Sequence, residues 1–412
     1  MISKKNKRKN QSLVVFLATL FGGASLTNLG NSEFPLDPAI VTLRLVIIGI
    51  VILFFAIISG PEIWNMPTKP APLNFLWVSF SFVMILSGIA NNDLITLRDG
   101  FWFMIAIPLI FFNIIPKLMQ KSANILITLG LLLGLSPYIF ASLIFHPVWQ
   151  SDSKIYSGIF PNSNQLGFTV TVLSSSLFIL TIGFLSAHKK SFQSFVVNTS
   201  LVTCFTIVLL SNARTAIIAF LTMSLLLFWR IFQNTRNILI TAIFGIVVSI
   251  ATFLLSAQNP WLFERVNEIQ SKDALSGRDD IWVKTFLDVK LLGNGEQYFE
   301  TNFSLGAHNT IVHILGVNGP IAAILMIIFA IVSFYYAVLY FKKRAPEDPH
   351  AIAPLVFMTC FWTLSMGEGM FGSLGNAMTL AYMLSVGVIM ADLNTRDNKM
   401  TSIVIFDNIA NK

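Results

Sequence analysis

Apolar residues run in long stretches along this chain, and charged residues fall almost entirely between them. Such stretches lie near 13–30, 39–59, 71–90, 100–116, 124–146, 165–186, 194–211, 214–229, 237–256, 320–341, 351–366 and 372–391. A helix needs about 20 residues to cross the hydrocarbon core, and in lipid a helix satisfies all its backbone groups within one segment. The pattern therefore predicts an all-α polytopic membrane protein of about twelve transmembrane helices, with both termini on one side and one long loop, 257–307, between helices 9 and 10. In that loop Trp261, Leu262, Phe263, Val266 and Ile269 recur at helical spacing beside Glu264, Arg265 and Glu268, which predicts an amphipathic helix on the membrane surface. Ile281, Trp282, Phe286 and Val289 predict a second helix over 279–290. The apolar run from 309 to Phe341 is too long for one span, and Asn318, Gly319 and Pro320 break it, so 309–317 reads as a short half-inserted helix.

Composition agrees. Hydrophobic residues make up 55% of the 412 and charged residues only 11%, with a mean hydropathy of +0.72, which excludes a soluble globular protein. The whole chain is read as a single integral membrane domain, 1–412. Lys4, Lys5, Lys7, Arg8 and Lys9 precede the first apolar run with no small-residue cleavage site after it, so that run is read as a retained span. With the N-terminus cytoplasmic, 18 of the 27 Lys and Arg fall in inner segments, and five of the rest lie in the long loop, where charge has little bearing on topology. The net charge of +7 is thus a topology signal and not a nucleic-acid surface, because the basic residues are spread one or two per loop. Cys204 and Cys360 each sit inside an apolar run and read as small buried hydrophobes.

The 20 Asp and Glu fall in loops or at span ends, whereas a proton-coupled carrier usually needs carboxylates within the membrane. The sequence holds no P-loop, GxGxxG, HExxH or DxD, so no cofactor or metal is expected. Polar and cationic residues gather instead at the outer ends of spans. Arg214 follows Ser211 and Asn212, which can cap the next helix, and an arginine in a first turn opposes the helix dipole unless an anion meets it. Helix amides plus a guanidinium suit a phosphate; snorkelling to headgroups is the competing reading. Arg278, in Ser276-Gly277-Arg278-Asp279-Asp280, also opens a helix, where a salt bridge to a loop carboxylate competes. His308 precedes the half-inserted helix, whose dipole disfavours an imidazolium. His313 lies about 140° further round that helix, so the pair does not share a face. Asn162 and Asn164 mark the outer start of the sixth span, where capping competes with binding. Arg44 lies within an apolar run near its outer end and either snorkels, pairs with Asp37 or faces the outer cavity; Arg98 is another outer cation.

In this order, Gly158 to Asn164, Ser211-Asn212-Ala213-Arg214-Thr215-Ala216, Ser276-Gly277-Arg278 with Trp282, Gly293-Asn294-Gly295, and His308-Asn309 followed by Gly319 resemble the O-antigen ligase and O-antigen polymerase superfamily of bacterial envelope glycosyltransferases. The motifs cover an O-antigen ligase-like core over about 155–340. Ala322 stands where ligases often have glycine, which weakens the ligase assignment within the superfamily more than the superfamily itself. The resemblance implies a multi-pass protein of the bacterial inner membrane, with its site facing the periplasm or exterior. It implies metal-independent, inverting transfer of a glycan from undecaprenyl diphosphate to a hydroxyl of an acceptor, either another lipid-linked glycan or lipid A core. On that reading Arg214 and Arg278 bind the diphosphate, His308 orients or deprotonates the acceptor hydroxyl, and Asn309, Asn164, Arg44 and Arg98 line the substrate site. The partners implied are the lipid-linked donor, the acceptor and membrane lipids, with no nucleic acid. Polymerase and ligase are not separated by the sequence. A carrier for a small anion or solute remains the alternative, against which stand the missing midplane carboxylates and the absence of visible inverted repeats.

Overall fold

The computed structural model describes residues 4–26, 29, 49, 53, 57, 72–148, 155–186, 192–232, 278–303, 306–370 and 376–410. The spans expected at 39–59 and 237–256, the surface helix expected over 261–269, and Arg44 lie outside these residues. Among the described residues every regular element is helical: α1 (Lys4–Ser25), α2 (Pro72–Ala90), α3 (Leu94–Ala106), α4 (Ala123–Phe145), α5 (Ser163–Ser186), α6 (Phe192–Ser211), α7 (Arg214–Phe232), α8 (Arg278–Asp288), α9 (Tyr298–Phe303), α10 (Thr310–Asn318), α11 (Pro320–Arg344), α12 (Ala353–Ser365) and α13 (Ala377–Ala410), with short helical turns after α3. Among the described residues, six helical stretches are long and apolar enough to cross a membrane: Pro72–Ala90, Leu94–Met119, Ala123–Phe145, Ser163–Leu185, Phe192–Ser211 and Pro320–Arg344. Two more apolar helices, Ala353–Ser365 and Ala377–Leu393, are shorter.

Polar side chains set the ends of these elements. The span expected from 100 begins at Leu94, because the Asp93 carboxylate accepts from the Ile95 and Thr96 amides at 3.0 and 3.2 Å and caps the helix. Further along, Pro108 lacks the N–H an α-turn needs, and the chain passes through a π-helical stretch, Ile107–Ile114, before Ile115–Met119 closes it.

The centre of the bundle is α5, which is buried along nearly all of its apolar length. Its hydroxyls are satisfied locally: Thr169 donates to Gln165 O, Ser174 to Val170 O and Ser175 to Val172 O, so they cost little in an apolar interior. Thr171 donates instead to Ala216 O at 3.3 Å, tying α5 to α7. Trp77 forms a second hub, its indole N–H on Phe103 O at 2.9 Å and its ring among Phe80, Phe103, Phe112 and Phe329. The α1–α4 contact is made by small residues: a Cβ on Gly134 would lie 2.6 Å from Ala18 O, and one on Gly22 3.0 Å from Gly134 O. Gly130 and Gly134 form the GxxxG spacing that lets two helix backbones approach closely in lipid.

Polar side-chain contacts collect at two ends of the bundle. At one end Asn124 donates to Asp348 at 2.7 Å and to Tyr340 at 2.9 Å, and Arg344 Nε donates to Asp392 at 2.8 Å. The other end carries Asp93, Arg214, Arg278, His308 and the turn between α12 and α13. Charges expected on opposite faces of the membrane are thus kept apart by the helices between them.

Candidate functional site

The α6–α7 turn is tight. Asn212 takes a left-handed φ of 54°, which asparagine tolerates better than most residues, and its N–H reaches Leu209 O at 3.0 Å. Ser211, fully buried, donates to Val208 O at 2.8 Å while its Oγ lies 3.4 Å from the Ala213 N–H. A Cβ on Gly167 would come within 2.5 Å of the Ser211 and Ala213 side chains, so glycine there lets α5 abut this turn. Arg214 is then the first residue of α7, with its side chain exposed.

Arg278 is the first residue of α8, with Asp279 and Asp280 behind it in the first turn, where carboxylates favour the helix dipole. Its guanidinium donates to the Gly367 carbonyl at 3.3 Å. Trp282, four residues on, donates from its indole to Ala307 O at 2.9 Å and so holds the residue before His308. The helix ends at Asp288, short of the expected 290, and its buried stripe runs through Ile281 and Thr285. Phe286, expected on the packed side, is 62% exposed: α8 packs on α10 through the Ile281 line, and Phe286 faces away from it.

His308 also has a left-handed φ, 47°. The chain turns sharply there, and Asn309 caps α10 by accepting from the Ile311 and Val312 amides at 2.9 and 3.1 Å. The helix expected over 309–317 is Thr310–Asn318. Its far end is clasped by two of the glycine motifs: Asn294 N–H bonds Gly316 O at 2.9 Å, Gly295 N–H bonds Val317 O at 3.1 Å, and Gly293, Gly295 and Gly319 have φ of 72°, 84° and 90°. Gly319 and Gly293 also pack backbone on backbone, leaving no room for a side chain. These glycines are therefore structural; they fasten the helix that carries His308.

Residues 366–370, between α12 and α13, form a strap across these elements. A Cβ on Gly367 would collide with the Thr215 side chain, so the strap lies directly on the first turn of α7, next to Arg214. Gly367 O receives Arg278. The Glu368 carboxylate lies 3.4 Å from His308 Nδ1, with both side chains about one-third exposed. Asn309 Nδ2 donates to Met366 O at 3.3 Å, and Thr310 Oγ1 donates to Glu368 O at 3.1 Å while accepting from Met370 N–H at 2.9 Å. Two guanidiniums, an imidazole and a carboxylate thus stand around one five-residue turn. Residues 199–327, from α6 into α11, match the family model for O-antigen ligase.

This segment is similar to the O-antigen ligase family. The match takes in Arg214, Arg278, His308 and Asn309, and ends before the strap. No curated protein matches the chain significantly.

Of the residues expected to line the substrate site, the strap touches Arg278, His308 and Asn309 directly and reaches Arg214 through Thr215. Arg98 belongs elsewhere, to the start of α3, where it pairs with Asp99 at 2.8 Å. Asn164 is exposed on the first turn of α5, and it is Asn162 that caps, its Oδ1 accepting from Gln165 N–H at 2.9 Å. His313 has partners different from those of His308: it stacks on Phe299 at 5.5 Å and lies 4.0 Å from Glu296. The residue that sequence reasoning missed is Glu368. It left a signal: Glu368 is the one carboxylate between Asp348 and Asp392, isolated in a Gly-Glu-Gly between two apolar runs.

Proposed function

We propose that this protein transfers a glycan from a lipid diphosphate carrier, undecaprenyl diphosphate, to a sugar hydroxyl at the outer face of the bacterial cytoplasmic membrane, inverting the anomeric carbon. One observation carries the reading: the strap 366–370 draws together a helix-start arginine pair and a histidine–carboxylate pair, and both arginines and the histidine lie in the segment similar to O-antigen ligase. Arg214 and Arg278 hold the diphosphate, and each opens a helix whose N-terminal dipole also favours an anion. His308 Nε2 takes the proton of the acceptor hydroxyl as its oxygen attacks the anomeric carbon. The bond from that carbon to the diphosphate oxygen breaks, and its electron pair leaves on the diphosphate, where the guanidiniums stabilise the growing charge. They supply the positive charge a divalent cation provides elsewhere, so the reaction needs no metal. Glu368, on Nδ1, turns Nε2 toward the acceptor. The acceptor is a second lipid-linked glycan or lipid A core.

Arg214→Ala, Arg278→Ala and His308→Ala, each expressed in the source strain, test this. Each should reduce polymerised or attached surface glycan by roughly 10² to 10³. Wild-type surface glycan in all three, with normal membrane levels of the protein, defeats the reading.

A further inference from the structure

Between α2, α3, α10 and the Gly295–Glu296 turn lies a cavity of about 20 Å³, room for a single hydroxyl or water. Its polar wall is made by Thr96, whose hydroxyl proton is given to Asp93, with Asp99, Glu296, His313 and Asn318, and Phe80 and Phe103 form part of its apolar wall. Asn318 is only 3% exposed, and its Nδ2 has no hydrogen-bond partner. A buried amide donor without an acceptor is costly, so a group seated here must accept a hydrogen bond. The remaining polar surface asks for the opposite. Glu296 and Asp99 present carboxylates, Glu296 with 38% of its side chain exposed and Asp99 with 18%. Asp93 is already occupied, accepting from Glu296 N–H at 2.6 Å and from Thr96 Oγ1 at 2.9 Å, and so it fixes the turn without entering the cavity wall. His313 is held in place by its stack on Phe299.

The occupant must therefore both accept, from Asn318, and donate, to a carboxylate. An anion is repelled by Glu296 and Asp99, and an ammonium has no lone pair for Asn318. A hydroxyl has both capacities. His313 lies on α10, five residues after His308 in the chain, so a molecule with a hydroxyl bound here can also extend to the proposed reaction centre. We infer that this cavity is a subsite for a hydroxyl of a neutral sugar ring, recognised by Asn318 as donor and Glu296 or Asp99 as acceptor. The inference rests on the glycan-transfer reading for the identity of the sugar-bearing molecule; the binding test does not depend on that reaction.

The full-length chain in lipid nanodiscs, probed by saturation-transfer NMR with the methyl glycosides of glucose, galactose and N-acetylglucosamine, tests it. Wild type should saturate at least one of them. Asn318→Leu, close to isosteric, removes the orphan donor, so it should melt at or above the wild-type temperature and bind that glycoside at least about tenfold more weakly. Glu296→Gln should weaken it as well. If Asn318→Leu melts lower and glycoside saturation is unchanged, or if wild type saturates none of the three, the cavity holds structural water only and the inference is overturned. Arg214→Ala and His308→Ala should keep glycoside saturation while losing transfer, so the failure of either idea is seen separately.

Discussion

The left-handed backbone at His308 costs a non-glycine residue about 1 to 2 kcal/mol, and Asn309, Thr310, Trp282 and Glu368 all hold it there. Glu368 contacts the imidazole and, on the proposed mechanism, acts through it, so its loss should fall on turnover. Glu368→Gln is expected to lower kcat roughly tenfold, a fraction of what general-base catalysis supplies, while KM for the lipid donor stays unchanged and Glu368→Asp recovers part of the rate. A rise in KM without a fall in kcat contradicts this role. The second histidine of this region, His313, gives a pH prediction. Burial pushes His313 down to about 4, so the ring folds neutral and its contribution to stability is complete above the unfolded value, about 6.5, and is lost as the pH falls toward 4. Glu296 works in the opposite sense: burial, then the charges of Asp93, Asp99 and Glu300, raise its pKa, so it favours the fold in acid and loses that contribution as the pH rises through its folded value. Melting followed by tryptophan fluorescence should show His313→Phe, which preserves the stack on Phe299, losing less stability than wild type between pH 6.5 and pH 4, and Glu296→Gln gaining most at neutral pH. At this scale the sequence named His308, Arg214 and Arg278 because charged and imidazole groups at helix starts are rare in so apolar a chain. The partner of His308 was not legible there, since Glu368 is 60 residues from it along the chain.

At the scale of elements, α10 is nine residues long and could not hold its place alone; a helix so short is marginal in isolation. It is fixed at one end by the strap and at the other by Gly293, Asn294 and Gly295, with Ser87 of α2 adding a bond to Val317 O at 3.2 Å. Gly319→Ala puts a side chain at φ 90° against the Leu291 and Gly293 backbone. It should cost about 1 to 3 kcal/mol or more, lower the melting temperature and reduce transfer, although it lies nine residues from Thr310. Retained transfer together with unchanged melting would show that the clasp does not position His308. The hydrophobic pattern predicted this helix because Asn318-Gly319-Pro320 interrupts an over-long apolar run. It did not predict that the glycines on either side meet. Their sequence separation is large, and each would suit a turn on its own.

Over the whole molecule, the helices separate one set of charges from another, and the sidedness of those sets is open to a direct experiment. Both native cysteines are buried, Cys204 at 5% and Cys360 at 0% exposure, so the background for labelling is low. A membrane-impermeant maleimide should label Asn162→Cys and Lys290→Cys in intact cells and Lys342→Cys only after lysis. Labelling of Lys342→Cys in intact cells reverses the orientation. The membrane class, the helical fold and the positions of most described helices were determined by the sequence, because a span is a local property: apolar residues enough to cross the hydrocarbon core, and a backbone that satisfies itself. The families of charges at each end were local as well. Which of those charges meet was decided only by the tertiary structure, where contacts between α5, α7 and α12 bring the strap onto the first turn of α7, and α8 and α10 arrive beside it. Arg98 and Arg278 look alike in sequence, each a cation beside an aspartate near a helix start; one remains paired with its neighbour, and the other reaches a carbonyl 89 residues away.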